Sequence, residues 1–478
     1  MLSAQKNLTR GFYMLLSLPA TAMGFALSVQ ISALSWILST KYNLDIHEVG
    51  LVWAAGPLAG ILGQVIIGLI SDKVWFWNGR RRPFIFIGGF LACMMLLGLP
   101  NIDLISTTLG IEGIFGIAMT IALVLDLSIN VSFNPTRSII ADVTPEGQPR
   151  TRGYTWMQTI SGSFGVLAYG IGAYFGNISL IYFGAGLVLL FSLVPPLFIK
   201  EPREFDVPEG GSQARLSFMQ MVMAIRPLWG FLFYNAYALT LRIMGLTVDH
   251  YYVEIFFGLM TAYLLLDTIL RKNDPAKSVA ENNMLGFRQV LAAHSFSWIG
   301  VQTVFVYMFA YLSGTFDGVA DDRLGQILSI CFLIFNAVGA LFPAFILEPL
   351  SAKIGRVSTH ILSLATMTVG YGLILAFGGQ DVTFLYTCMA LCGIGWSAII
   401  SLPFAIVSQK IDSSQMGLYM GLFNLSVVLP QLVVSLSIGL LVSSMADKSV
   451  VFMIAAGSLL VSTILWQMAA KNLRGNAG

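Results

Sequence analysis

The segment LDLSINVSFNPTRSIIAD (125–142) sets a carboxylate, Asp126, and a guanidinium, Arg137, inside an otherwise apolar run. If that run crosses a bilayer, neither group can face lipid without a heavy cost, so both must face a polar cavity or a partner. Eleven residues turn a helix by about 1100°, three turns plus roughly 20°, so the two side chains share one face about 16 Å apart along the axis. Asn130 lies between them on nearly the same stripe. A straight helix with that spacing cannot join Asp126 and Arg137 in an ion pair. Each finds its partner on another span, in water or in a ligand, and a purely structural interhelical pair is the plainer alternative. Burial disfavours the charged form of a carboxylate. Asp126 is therefore the candidate for holding a proton, and Arg137 the candidate for favouring its release.

Other polar side chains interrupt apolar runs at Gln30, Gln158, Asn336, Ser401, Asn424 and Gln431. Singly, such residues either hydrogen-bond between helices or contact a ligand. Trp298 and Trp396 lie in polar-flanked runs, where an indole face can stack on the C–H face of a sugar. Pro135, Pro403 and Pro430 are candidate helix breaks beside a cavity. The four histidines and four cysteines show no metal-ligand spacing, and the chain contains neither a P-loop nor HExxH. The expectation is no enzyme, no metal, no cofactor and no ATP-driven mechanism.

These side chains need elements to carry them. Of 478 residues, 56% are hydrophobic and only 10% charged, against roughly 25% charged in a soluble chain. A water-facing protein cannot bury so much apolar surface, so the solvent is lipid and the partner a bilayer. Apolar runs at about 11–38, 49–71, 83–100, 114–141, 153–176, 179–199, 224–246, 250–270, 286–314, 323–347, 357–378, 383–409, 416–443 and 449–470 each suffice for a transmembrane helix. The fold class is an all-α polytopic membrane protein of about fourteen spans. Alternate loops carry Arg80–Arg82, Arg150, Lys200, Lys353 and Lys410, whereas the intervening loops are poor in cations. That asymmetry puts both termini in the cytoplasm. A net charge of +2 gives no reason to expect a nucleic-acid partner.

A cytoplasmic turn after the second span of each half is repeated faintly, as GLISDKVWFWNGRRRP (68–83) and LEPLSAKIGR (347–356). Two six-helix bundles, 1–200 and 285–478, joined by a linker over 201–284, account for the repeat. The linker opens polar, with KEPREFDVPEGGSQAR, then holds two apolar runs within about 224–270. A hairpin that crosses the bilayer and returns, with Asp249 outside, preserves the orientation of all other spans. In-plane amphipathic helices are the rival reading. The first of the repeated turns places Asp72 at the end of span two, with Arg80, Arg81 and Arg82 at the membrane face. The cluster reads as an orientation signal with lipid contact, as a latch between bundles that opens during transport, or as both.

With these residues in place, the chain resembles the major facilitator superfamily, and within it the sucrose-transporter-type branch of the glycoside–pentoside–hexuronide:cation symporters. The resemblance rests on VWAAGPLAGILGQVIIGLISDK…GRRRPF (52–84), LDxSINxSxxPxRxxxAD (125–142) followed by GYTWMQ (153–158), GIGWSAIISLPFAIVS (393–408) and GLYMGLFNLSVVLPQLVVS (417–435). It implies the major facilitator fold, a central sugar site and proton coupling. Asp126 would be the protonated carboxylate and Arg137 its companion. Gln30, Asn130, Gln158, Asn336 and Asn424 match polar positions of bacterial relatives. Asn134 departs from the Glu that many of those relatives carry. The expected protein is a monomeric proton symporter in a bacterial inner membrane, importing a disaccharide such as maltose or sucrose. Sodium coupling and a transport-inactive sugar sensor are the alternatives.

Overall fold

The computed structural model describes residues 3–60, 74–111, 113–145, 148–201, 218–246, 248, 250–410 and 416–474. These residues are overwhelmingly helical, and among them the one β-bridge is the isolated pair Phe76–Gly79. The chain divides into two compact units. The first comprises Met1–Glu209 with Asp317–Leu333, the second Gly210–Phe316 with Ile334–Gly478.

In the first unit α1 (Arg10–Thr40), α2 (Ile46–Trp53), α3 (Arg82–Gly98), α4 (Ile114–Val143), α5 (Gln148–Phe175) and α6 (Asn177–Leu197) form a bundle. The long α1 packs against α4, α5 and α6, and α3 against α4 and α6. Thr9 starts α1 by accepting the Phe12 N–H, and Asp45 starts α2 through a capping box with Glu48. Lipid offers no hydrophobic drive between helices, so close packing and interhelical hydrogen bonds hold the bundle. Phe12, Leu16, Ile85, Ile139, Ile140, Met157 and Ile199 supply one such packed cluster. A polar knot supplies the other kind of contact. Ser32 and Ser329 share a hydroxyl hydrogen bond of 2.7 Å, and the Ser329 hydroxyl also lies 2.9 Å from Asn177 Oδ1. Trp36 Nε1 donates to the Asp321 carbonyl beside it.

The second unit holds α7 (Trp229–Ile243), α8 (Tyr252–Leu270), α9 (Val279–Thr315), α11 (Arg356–Phe377), α12 (Val382–Ile399), α13 (Met416–Val433) and α14 (Val450–Leu473). The remaining long helix, α10 (Asp321–Phe342), begins in the first unit's share of the chain and ends in the second's. Here α9 packs on α13 and α14, and α11 on α12 and α14. The capping box of Ser278 and Glu281 starts α9 ahead of its apolar run. With 37 residues it is longer than any hydrocarbon core requires.

Helices α7 and α8 are the hairpin of the linker. A Cβ on Gly230 would lie 1.9 Å from Thr261 Oγ1, so only glycine lets the two helices meet there. Asn235 Nδ2 donates to the Leu429 carbonyl at 2.9 Å, and Arg242 Nη2 to the Leu436 carbonyl at 2.7 Å. Equal steps of seven residues on both sides mean that α7 runs alongside α13 and parallel to it. The Leu436 carbonyl belongs to a π-helical stretch, Val434–Ile438, that follows Pro430. Widening to i→i+5 pairing disturbs the α-ladder, and Arg242 and Tyr307, which donates to the Val434 carbonyl, bond to carbonyls of that stretch. At the other end of the hairpin, Gln289 Nε2 reaches the carbonyls of Thr268, Ile269 and Arg271, capping α8.

Among the described residues eleven helices are long and apolar enough to cross a membrane. The expected count of fourteen is not reached on that criterion. The expected run at 49–71 falls in part on residues 61–73, which lie outside the described residues. The 28-residue α5 is diluted by arginine, glutamine, threonine and serine side chains, and α7 has only 15 residues. The chain is a multi-pass membrane protein.

Candidate functional site

In the first unit, α1 and α4 bring Gln30 and Asp126 together. Gln30 Nε2 donates to Asp126 Oδ2 at 2.9 Å, and both side chains are buried. Gly56, in the second span, lies against the same carboxylate, its Cβ position 3.5 Å from both oxygens. Asn130 turns back on its own helix and donates to the Asp126 backbone carbonyl. Among the described residues no cation lies within ion-pair distance of Asp126. An ionised carboxylate can accept about four hydrogen bonds, and a single side-chain amide leaves most of that capacity unmet. Protonation would remove this mismatch.

Arg137 does not meet Asp126. Its guanidinium lies 4.2 Å from the centroid of the Phe133 ring one turn earlier, and its side chain is exposed. Tyr154 donates to its backbone carbonyl. α4 continues through Pro135 without a break. Gln158, on α5, is exposed.

In the second unit, Trp396 of α12 sits in an aromatic box. Phe335 stacks on it at 5.6 Å, and Trp298 and Phe305 meet it edge-on at 5.8 and 5.5 Å. A Cβ on Gly339 would lie 2.6 Å from the indole, so glycine leaves the space that Trp396 fills. Trp298 in turn donates its Nε1–H to His294 Nε2 at 2.9 Å, and His294 stacks on Phe423. Both tryptophans remain part-exposed. Gln431 Nε2 donates to Gln302 Oε1 at 3.1 Å. Asn336 and Asn424 are half-buried. The chain breaks its helix at Ile400 and Ser401 ahead of Pro403. There Ser401 lines a cavity of about 450 Å³ with Pro343, Glu348, Ser351 and Arg356.

Gln302, His294 and Phe305 belong to this arrangement and escape a reading residue by residue. Their signal is periodic. His294, Trp298, Gln302 and Phe305 follow at steps of four, four and three, one face of α9.

The Arg80–Arg82 cluster is built locally. Trp77 and Asn78 both take positive φ, the turn that closes Phe76 on Gly79. Glu201 then accepts the backbone N–H groups of Arg80, Arg81 and Arg82 at 2.8, 2.9 and 2.9 Å, capping the start of α3. Arg80 and Arg81 pair with Asp142 at the end of α4 at 2.9 and 3.1 Å. Asp72 lies outside the described residues.

A bundle of apolar spans with buried polar side chains is the architecture of a polytopic membrane protein. The family model of the Major Facilitator Superfamily matches residues 16–317, and the chain belongs to that superfamily, whose members are transporters and not enzymes. The chain is similar to the general alpha-glucoside permease of Schizosaccharomyces pombe, 30% identical over 174 residues. That match covers 33% of this chain and only 31% of the permease. It is similar to the sucrose transport protein SUT5 of Oryza sativa subsp. indica, 23% identical over 91% of this chain and 83% of that protein. Its fold is similar to that of the POT family transporter PepTSo, with TM-score 0.67 at 13% identity over 98% of this chain and 99% of the other.

Proposed function

We propose that the protein is a proton-coupled symporter that imports a disaccharide glucoside, maltose or sucrose, by alternating access. The observation that carries the reading is the buried carboxylate of Asp126, held by Gln30 and by no cation among the described residues. Protonated, it needs no counter-charge and can donate a hydrogen bond to a sugar hydroxyl. Ionised, it must be repaired by a donor or lose the sugar. Proton and sugar occupancy are thereby linked. Similarity to sucrose and alpha-glucoside carriers supports the substrate class. In this reading Gln30, Asn130, Gln158, Trp298, Asn336, Trp396, Ser401, Asn424 and Gln431 contribute to sugar binding, and Arg137 favours proton release toward the cytoplasm.

The protein acts as a monomer in a bacterial inner membrane with both termini cytoplasmic, as the loop cations support. Its hairpin crosses the bilayer, a placement supported by α7 running beside α13. The test is uptake of radiolabelled sucrose and maltose into proteoliposomes under an imposed pH gradient or an imposed sodium gradient. The reading expects accumulation with the pH gradient alone. Accumulation driven only by sodium, or none with either gradient, contradicts it.

A further inference from the structure

The base of the hairpin gathers more positive charge than its carboxylates balance. Arg226, just before α7, and Arg271, just after α8, share one partner, Asp267, at 2.8 and 2.9 Å. Gln289 bonds the Arg271 carbonyl, which sets its chain neighbour Arg288 at the same depth. Arg288 is half-buried, its Nε has no hydrogen-bond partner, and Arg226 and Arg271 are close enough to press their charge on it. Lys410 joins from the other side. Its Nζ donates to the Asn472 carbonyl, and Asn472 Nδ2 donates to that of Arg271. Among the described residues neither Arg288 nor Lys410 has a carboxylate partner. The nearby carboxylates Asp274 and Glu281 are committed to their own turn and helix cap.

An apolar stripe leads into this cluster. Ile255, Leu259, Tyr263, Leu266 and Leu270 are exposed along α8 at steps of four, four, three and four. Tyr263, Asp267 and Arg271 also follow at steps of four, so stripe and charges share a face. An apolar helix face in a bilayer meets acyl chains. Arginines that exceed their carboxylates at the end of such a face suit a phosphate, which accepts paired guanidinium hydrogen bonds.

We propose that Arg226, Arg271, Arg288 and Lys410 bind the phosphate headgroup of an anionic membrane lipid whose acyl chains lie along the α8 stripe. The lipid would complete the hairpin's attachment to its unit, because it adds the negative charge that the cluster lacks.

The test uses the full-length protein in detergent, with lipid binding read by native mass spectrometry and stability by thermal unfolding. Phosphatidylglycerol is expected to bind and to raise the unfolding temperature, and phosphatidylcholine to do so much less. Arg288→Gln should weaken phosphatidylglycerol binding about fivefold, and Arg288→Lys should keep most of it. If Arg288→Gln does not fold, Lys410→Gln decides the same question. Inorganic phosphate should neither compete with the lipid nor reproduce its stabilisation. Wild-type lipid binding in the folded glutamine variant, or equal binding of the zwitterionic lipid, overturns the proposal. Full stabilisation by inorganic phosphate also overturns it, in favour of a free-phosphate site.

Discussion

Gln30 on α1 donates its side-chain N–H to Asp126 Oδ2 on α4 at 2.9 Å, joining two residues 96 positions apart. A hydrogen bond to a charged acceptor contributes roughly 1.5–3 kcal/mol. In the proposed cycle, this bond is the contact that bears on the proton step at Asp126. Gln30→Leu removes the donor. The expected result is net pH-driven uptake lowered about tenfold or more, with sugar counterflow, which needs no net proton transfer, lowered only by the part that Gln30 contributes to sugar binding. Equal losses in both assays would place Gln30 in sugar binding alone.

Trp396 has one face stacked on Phe335 and its edges against Trp298 and Phe305, yet the ring stays part-exposed. Its free surface is the stacking platform for sugar in this account. Trp396→Ala should weaken sugar binding about tenfold, measured by equilibrium binding to purified protein. A folded variant with wild-type affinity would return Trp396 to a packing role.

Glu201 accepts three consecutive backbone N–H groups. Leaving one buried donor unmet costs about 1–3 kcal/mol. Glu201→Ala is therefore expected to lower the unfolding temperature in detergent by several degrees while sugar affinity in the folded protein is kept. Unchanged stability with lost sugar binding would contradict the capping role.

The four native cysteines are buried thiols, which keeps labelling quiet at the surface. The tip of the hairpin is exposed at Val248 and His250, and Asp249 between them lies outside the described residues. With a crossing hairpin, His250→Cys should react with a membrane-impermeant thiol reagent applied to intact cells. Labelling only after permeabilisation would mean that the tip faces the cytoplasm.

Much of the bundle is legible in hydropathy, because a bilayer demands about twenty apolar residues for each span. The run at 114–141 becomes α4, Ile114–Val143, and that at 449–470 becomes α14, Val450–Leu473. Legibility fails where a helix leaves the lipid. The apolar run from 286 misses the first residues of α9, because a polar capping box at Ser278 and Glu281 starts that helix in water. The π-helical stretches Pro343–Leu347 and Val434–Ile438 leave no periodic mark in hydropathy. Pro403 does stand at a break, whereas Pro135 lies inside a continuous helix.

At the candidate site, residue type singles out Asp126, since a carboxylate amid apolar residues is rare at any depth. Partnerships are another matter. Nothing in sequence joins Gln431 to Gln302 or Trp298 to His294, as these contacts depend on the helix face presented. Glu201 shows the same limit. It begins a polar, Pro- and Gly-rich stretch that reads as solvated linker, yet the fold buries it beneath α3.

The central claim is that proton and sugar movements are coupled at Asp126, and Asp126→Asn tests it most directly. Asparagine keeps the shape of the acid and cannot ionise. Purified variant and wild type are reconstituted into proteoliposomes, and radiolabelled sugar accumulation is followed under an inward proton gradient. The account predicts that the variant binds sugar and exchanges it across the membrane, yet neither accumulates it nor takes up protons when sugar is added. Accumulation by Asp126→Asn at the wild-type level under that gradient would contradict the account and move the coupling elsewhere.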